Sequence, residues 1–256
     1  MAVRLAAVEY GEGPPLAILH GLFGSGRNWT SIARRFAAHH RVVALDLRNH
    51  GASPWADGMG YVEMAEDVRR TLHALGHRRF ALLGHSMGGK VAMMAALLHG
   101  AEIERLVVAD IAPVAYAPRH LMHVRAMRAL PLAGITRRGE ADARLAPDLP
   151  DLAERAFLLQ GLVFDGSDAR WRFNLAAIER EMPALAGFPA LAASAYDGPA
   201  LFVAGERSDY LLPEHEPAIR HLFPNARIVR IPDAGHWLHA EQPRAFIDLV
   251  EPFLAG

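Results

Sequence analysis

An apolar run, Phe80–Leu83, leads into Gly84-His85-Ser86-Met87-Gly88-Gly89 and then into a helical pattern. Gly-x-Ser-x-Gly between a strand and a helix marks a nucleophilic serine. A sharp strand-to-helix turn strains its central residue and lifts that side chain out of the chain. The flanking positions crowd against neighbouring backbone, so only small residues fit there. The amide of Met87 then faces the place where an oxyanion would form, helped by the helix dipole.

A serine hydroxyl needs a base, and the base needs an orienting carboxylate. There are fourteen histidines, and His236 stands out by context. It follows the apolar run Ala226–Ile231 in Asp233-Ala234-Gly235-His236-Trp237, and a final helical pattern comes next. From there its ring can reach back to the strand ends. His239, His215 and His221 read as packing or solvated residues. Two carboxylates could orient His236. Asp110 ends the run Leu106–Ala109, and Asp209 follows the run Leu201–Ala204 in Gly205-Glu206-Arg207-Ser208-Asp209.

The second oxyanion amide should come from a loop after an early strand. Leu16–Leu19 leads into His20-Gly21-Leu22-Phe23-Gly24-Ser25-Gly26. Leu22 is the first choice for that amide and Phe23 the second. His20 reads as a residue that orients this loop. The polar loop Asp46-Leu47-Arg48-Asn49-His50-Gly51-Ala52-Ser53 is either structural or part of a pocket rim.

The nucleophile segment also spells a rival. Gly84 to Lys90 fits the phosphate loop G-x-x-x-x-G-K, and Leu106–Asp110 could pass for its magnesium-supporting strand. Val91, however, stands where Ser or Thr should hold the metal. The rival also leaves His20-Gly21 and Gly235-His236 without a role. No His, Asp or Glu cluster has metal-ligand spacing, and no cofactor is expected. Lys90 is the only lysine, which reads as coding bias.

These residues need a scaffold that brings several strand ends together. Strand-like runs at Val3–Val8, Leu16–Leu19, Val42–Leu45, Phe80–Leu83, Leu106–Ala109, Leu201–Ala204 and Ala226–Ile231 alternate with helical patterns. The helical patterns are Trp29–Ala38, Tyr61–Leu75, Gly89–His99, Pro213–Leu222 and Pro243–Leu254. This alternation predicts an α/β fold, a mostly parallel central sheet with helices on both faces. From about Pro113 to about Ser194 the rhythm stops, and no strand is expected. Residues 113–194 read as a helical lid inserted into a core of residues 1–112 and 195–256.

Length and composition agree with one such domain. The 256 residues are 52% hydrophobic and 21% charged, enough for a sizeable core. A net charge of −1 provides no strong field for nucleic acid or an anionic membrane. The absence of cysteine excludes disulfides, thiolate metal sites and a cysteine nucleophile. Met1 to Tyr10 shows no secretory apolar region, and no stretch is long enough for a membrane span. The expectation is a cytoplasmic protein, monomer or homodimer, with a small-molecule substrate.

Taken together, His20 to Ser25, Asp46 to Gly51, Gly84 to Lys90 and Asp110-Ile111-Ala112-Pro113-Val114 resemble the YbfF-type esterases and the abhydrolase-domain-11 proteins. The likeness extends through Gly235-His236-Trp237-Leu238-His239-Ala240-Glu241 and covers nearly the whole chain. It implies an α/β-hydrolase fold and cofactor-free hydrolysis of short- to medium-acyl esters or thioesters. It implies Asp110 as the acid, with Ser208 near the histidine; His85, next to Ser86, is expected to support the site from behind. Asp209, directly after Ser208, departs from the family pattern and keeps the second choice open.

Overall fold

The computed structural model describes residues 2–166, 168–190 and 195–256. Its first half holds β1 (Ala6–Tyr10), β2 (Pro15–Leu19), α1 (Thr30–Phe36), β3 (Arg41–Asp46), α2 (Tyr61–Ala74), β4 (Phe80–His85), α3 (Met87–His99) and β5 (Ile103–Ala109). Next come α4 (Leu121–Ala129), α5 (Arg138–Leu145), α6 (Leu152–Leu158), β6 (Leu162–Asp165), β7 (Asp168–Trp171) and α7 (Leu175–Ala186). The chain closes with β8 (Ala200–Gly205), α8 (Glu216–Leu222), β9 (Ala226–Ile231), α9 (Leu238–Glu241) and α10 (Pro243–Ala255).

Among the described residues, seven strands form one sheet in the order β1-β3-β2-β4-β5-β8-β9. Only β1 is antiparallel to its neighbour. The central strands are continuously apolar because both faces are covered. Period two divides their side chains between the faces. Leu16, Ile18, Leu83 and Val107 pack with Phe36 of α1 and Phe246 of α10. Ala17, Leu19, Leu82 and Val108 pack on the other face with residues of α2 and α3. Each such Leu, Ile or Phe contributes about 1.5–3 kcal/mol on burial. The carboxyl ends of β2, β4, β5 and β8 therefore come together at one rim, where open α/β sheets carry their sites.

The loop after β3 is tied down by charge. Arg48 donates to Asp67 on α2 through Nε at 2.6 Å and Nη2 at 2.9 Å, and both side chains are buried. Asp67 also accepts the Val3 amide at 2.7 Å. Arg48 Nη1 also donates to the Gly58 carbonyl at 2.9 Å, so the same side chain holds the backbone on either side of His50.

The segment between β5 and β8 is not purely helical. It contains the antiparallel hairpin β6–β7, contrary to the strand-free expectation. Each strand has only four residues and carries an aspartate at its hairpin end, Asp165 in β6 and Asp168 in β7, so neither makes an apolar run. Their inner ends, Leu162 and Trp171, are buried. Trp171 Nε1 donates to the Met127 carbonyl at 3.1 Å, which joins the hairpin to α4. The expected end of the insertion at Ser194 lies outside the described residues. No helix among the described residues is long and apolar enough to cross a membrane.

Candidate active site

β4 ends at His85 and α3 begins at Met87, so Ser86 alone makes the turn. Its φ is 53° and ψ −121°, a conformation that costs a non-glycine residue about 1–3 kcal/mol. Tight packing enforces it. A Cβ on Gly88 would meet the Leu19 and His20 carbonyl oxygens at 2.5 Å, and one on Gly84 would strike the Gly88 carbonyl. The small flanking residues of the motif are thus required by contact.

Ser86 Oγ lies 3.0 Å from Nε2 of His236 and donates to it. On the far side of the ring, Nδ1–H donates to Asp110 Oδ2 at 2.7 Å. Asp110 is fully buried at the end of β5, with φ 52°. Its carboxylate also accepts the Gly205 amide at 2.9 Å and the Ser208 hydroxyl. Three donors therefore hold one buried carboxylate, and they fix the tautomer of His236. His85 supports the same loop, with Nε2–H donating to the His236 carbonyl at 2.8 Å. Burial, followed by the nearby His236 and His239, holds the His85 pKa well below its usual value.

Asp209 does not join this row. Ser208 turns inward, and the next side chain turns outward. Asp209 is half exposed and pairs with the Arg119 guanidinium, which holds its carboxyl below the usual range. The structure brings Asp110, and not Asp209, to the His236 ring.

Two backbone amides come from residues that line a cleft with Ser86. Those of Leu22 and Met87 donate to no protein acceptor among the described residues. The Phe23 amide, the second choice, is already taken by His50 Nε2 at 3.2 Å. His50 Nδ1–H donates to the Arg48 carbonyl at 2.9 Å, so Nε2 is left as the acceptor. Burial pushes the His50 pKa down to about 3, which keeps the ring neutral. His20 works in the same way: Nδ1–H donates to the Gly21 carbonyl at 2.7 Å, and Nε2 accepts the Leu47 amide at 2.9 Å. The polar loop after β3 is thus structural support for the loop after β2.

Comparisons with known proteins show the family. Residues 14–243 match a family described by its α/β hydrolase fold. The chain is 39% identical to the "sn-1-specific diacylglycerol lipase ABHD11" of Mus musculus, over 94% of this chain and 81% of that one. It is 36% identical to "Esterase YbfF" of Escherichia coli (strain K12), over 94% of this chain and 92% of that one. The chain is an α/β hydrolase of the YbfF and ABHD11 type. A solved "Marine microorganism esterase" superposes with a TM-score of 0.95 at 37% identity, covering 98% of this chain and all of the other. The α/β hydrolase is of the carboxylesterase kind, as its motifs implied.

Sequence reasoning passed over several residues of this hydrolase's site. Tyr210 stacks on the His236 ring, with centroids 4.0 Å apart. Its hydroxyl bonds to His120 Nε2 at 3.0 Å, and His123 Nε2–H donates to Glu154 at 3.0 Å. His120 and His123 belong to the segment between β5 and β8, where no local motif marks them. Two clefts meet at Ser86. One is lined by Phe23, His120, Phe157, His236 and Trp237. The other is lined by Tyr61, Met87, Ile111, Tyr116, Met182 and Leu185, without His236. No group of three or more His, Asp or Glu among the described residues could hold a metal ion.

Proposed function

We propose that this α/β hydrolase cleaves short- to medium-acyl esters through an acyl-enzyme on Ser86. The row Ser86–His236–Asp110, beside the unpartnered Leu22 and Met87 amides, carries the reading. His236 Nε2 takes the hydroxyl proton as Oγ attacks the ester carbon. The carbonyl oxygen becomes an oxyanion held by the two amides. His236, oriented by Asp110, then returns the proton to the departing alcohol, and the carbonyl re-forms as an acyl-serine. Water, deprotonated by His236, attacks next and frees the acid and Ser86.

The two clefts acquire roles from this proton traffic. The leaving alcohol must be reached by His236, so it occupies the cleft that His236 lines. The acyl chain remains on Ser86 and occupies the apolar cleft beside Met87. Described residues of the segment between β5 and β8, among them Tyr116, His120, Phe157 and Met182, line these clefts and serve as a cap. The names of the relatives, an esterase and a lipase, support ester hydrolysis.

The test is a panel of p-nitrophenyl esters from acetate to dodecanoate, with the matching acyl thioesters. Short and medium esters should be turned over fastest, and Ser86→Ala should lose about 10⁴-fold or more in kcat. A Ser86→Ala variant with the activity of the parent would refute the reading. A marked preference for the thioesters would redirect the substrate class and leave the mechanism in place.

A further inference from the structure

The one lysine of the chain remains without a role in the chemistry above. Lys90 sits on α3, one turn after Ser86, whose carbonyl accepts the Lys90 amide at 3.1 Å. Its side chain is buried. No carboxylate pairs with it among the described residues. Its Nζ donates to three backbone carbonyls instead: Val114 at 2.9 Å, Ala186 at 3.0 Å and Gly187 at 2.5 Å. The ammonium also lies over the Tyr116 ring, 4.7 Å from its centroid, and 5.7 Å from that of Tyr61.

These partners have a pattern. Val114 and Tyr116 lie just after β5, where the chain leaves the sheet. Ala186 is the last residue of α7 and Gly187 its cap, on the way back. Carbonyls at a helix C-terminus lack intrahelical partners and carry the negative end of the helix dipole. A single cation therefore binds both the outgoing and the returning chain to the helix that carries the nucleophile turn. Lysine suits the task because its three donors meet three acceptors at one point; the planar fork of arginine would not. Burial pushes this amine down to about 7, a solvation cost that the three accepting carbonyls and the Tyr116 ring face oppose by favouring the charged form.

The link continues to the site. The Tyr116 hydroxyl accepts the Ala112 amide at 2.9 Å and donates to the Tyr210 carbonyl. Tyr210 is the residue stacked on His236.

We propose that Lys90 is a positioning residue, a cationic clasp that pins both ends of the inserted segment to α3 and so sets the Tyr116–Tyr210 wall against His236. The catalytic half of this statement rests on the proposed acyl-enzyme mechanism; the structural half does not.

Hydrogen exchange and ester kinetics on Lys90→Met and Lys90→Arg separate the two halves. Methionine keeps the stem without donors or charge. In Lys90→Met, amides in 114–117 and 184–187 should exchange about tenfold faster or more, while those of β4 and β5 stay unchanged. The kcat for a p-nitrophenyl ester should fall about tenfold with little change in KM. Lys90→Arg should recover part of both effects. Exchange in 114–117 and 184–187 matching the parent, or accelerated equally throughout the chain, would overturn the clasp. Faster local exchange with unchanged kcat would overturn its positioning role. If Ser86→Ala retains full activity, the mechanism fails and only the exchange result bears on the clasp.

Should Lys90→Met not fold, the parent protein decides. Lys90 has the only side-chain amine, so trinitrobenzenesulfonate labelling, located by peptide mass spectrometry to separate it from the α-amine, reports its exposure. In urea below the unfolding transition, Lys90 should become reactive together with exchange of the Tyr116 amide and before that of β4. Reactivity that appears only with loss of the whole fold would overturn the proposal.

Discussion

The Phe23 amide donates to Nε2 of His50 at 3.2 Å, while the Leu22 amide beside it donates to no protein acceptor among the described residues. Phe23 has φ 60°, so the loop is held in a conformation that a non-glycine residue adopts only under constraint. His50 provides that constraint from the loop after β3.

His50→Ala should therefore impair catalysis without touching substrate. The loss in kcat should be about tenfold, below the ~10²–10³ expected for removing an oxyanion donor outright. KM should change little. His50→Gln, which keeps an acceptor at similar reach, should recover part of the rate. An unchanged kcat in His50→Ala would show that the Leu22 loop keeps its shape unaided.

The two candidate acids separate cleanly by mutation. Asp110→Asn should lower kcat by up to about 10⁴-fold, because the amide no longer favours the His236 tautomer that accepts from Ser86. Asp209→Asn removes only a half-exposed pair with Arg119 and should stay within a few-fold of the parent. Steady-state kinetics on both variants, with circular dichroism to confirm folding, checks the assignment. A larger loss in Asp209→Asn would reverse it.

Acid should destabilise the fold earlier than carboxylate titration alone would. Burial pushes His50 and His239 down to about 3 and His120 to about 4. In the unfolded chain these rings titrate near 6.5. Between those values the unfolded state binds more protons, so stability falls as pH drops from about 6.5 toward 4. Each such histidine steepens the slope toward about 1.4 kcal/mol per pH unit. Urea midpoints at pH 7, 6 and 5 should decline accordingly. His239→Phe, which preserves the stack on Trp29, should flatten the decline. A midpoint constant from pH 7 to 5 would contradict the neutral burial of these rings.

The turn at Ser86 was legible in the sequence because its constraints are local: a strand, two glycines and a helix start. His236 was legible from its place after the last strand. The acid was not, because Asp110 and Asp209 both follow strands of the same rim. The structure brings Asp110 to His236 Nδ1, a pairing across 126 residues that no local motif marks. The support given by His50 to Phe23 spans 27 residues in sequence and leaves no motif. The hairpin β6–β7 was hidden by strands too short and too charged to register. Lys90 looked like a by-product of arginine-rich coding, since its three acceptors are backbone carbonyls that any residue could supply.

The account stands or falls on Ser86 as the nucleophile. The most direct measurement treats the protein with a fluorophosphonate, follows loss of ester hydrolysis, and locates the adduct by peptide mass spectrometry. The expected result is one adduct per chain, on Ser86, formed in step with inactivation and slowed in His236→Gln. An adduct on another residue, or full inactivation with Ser86 unmodified, would contradict the account.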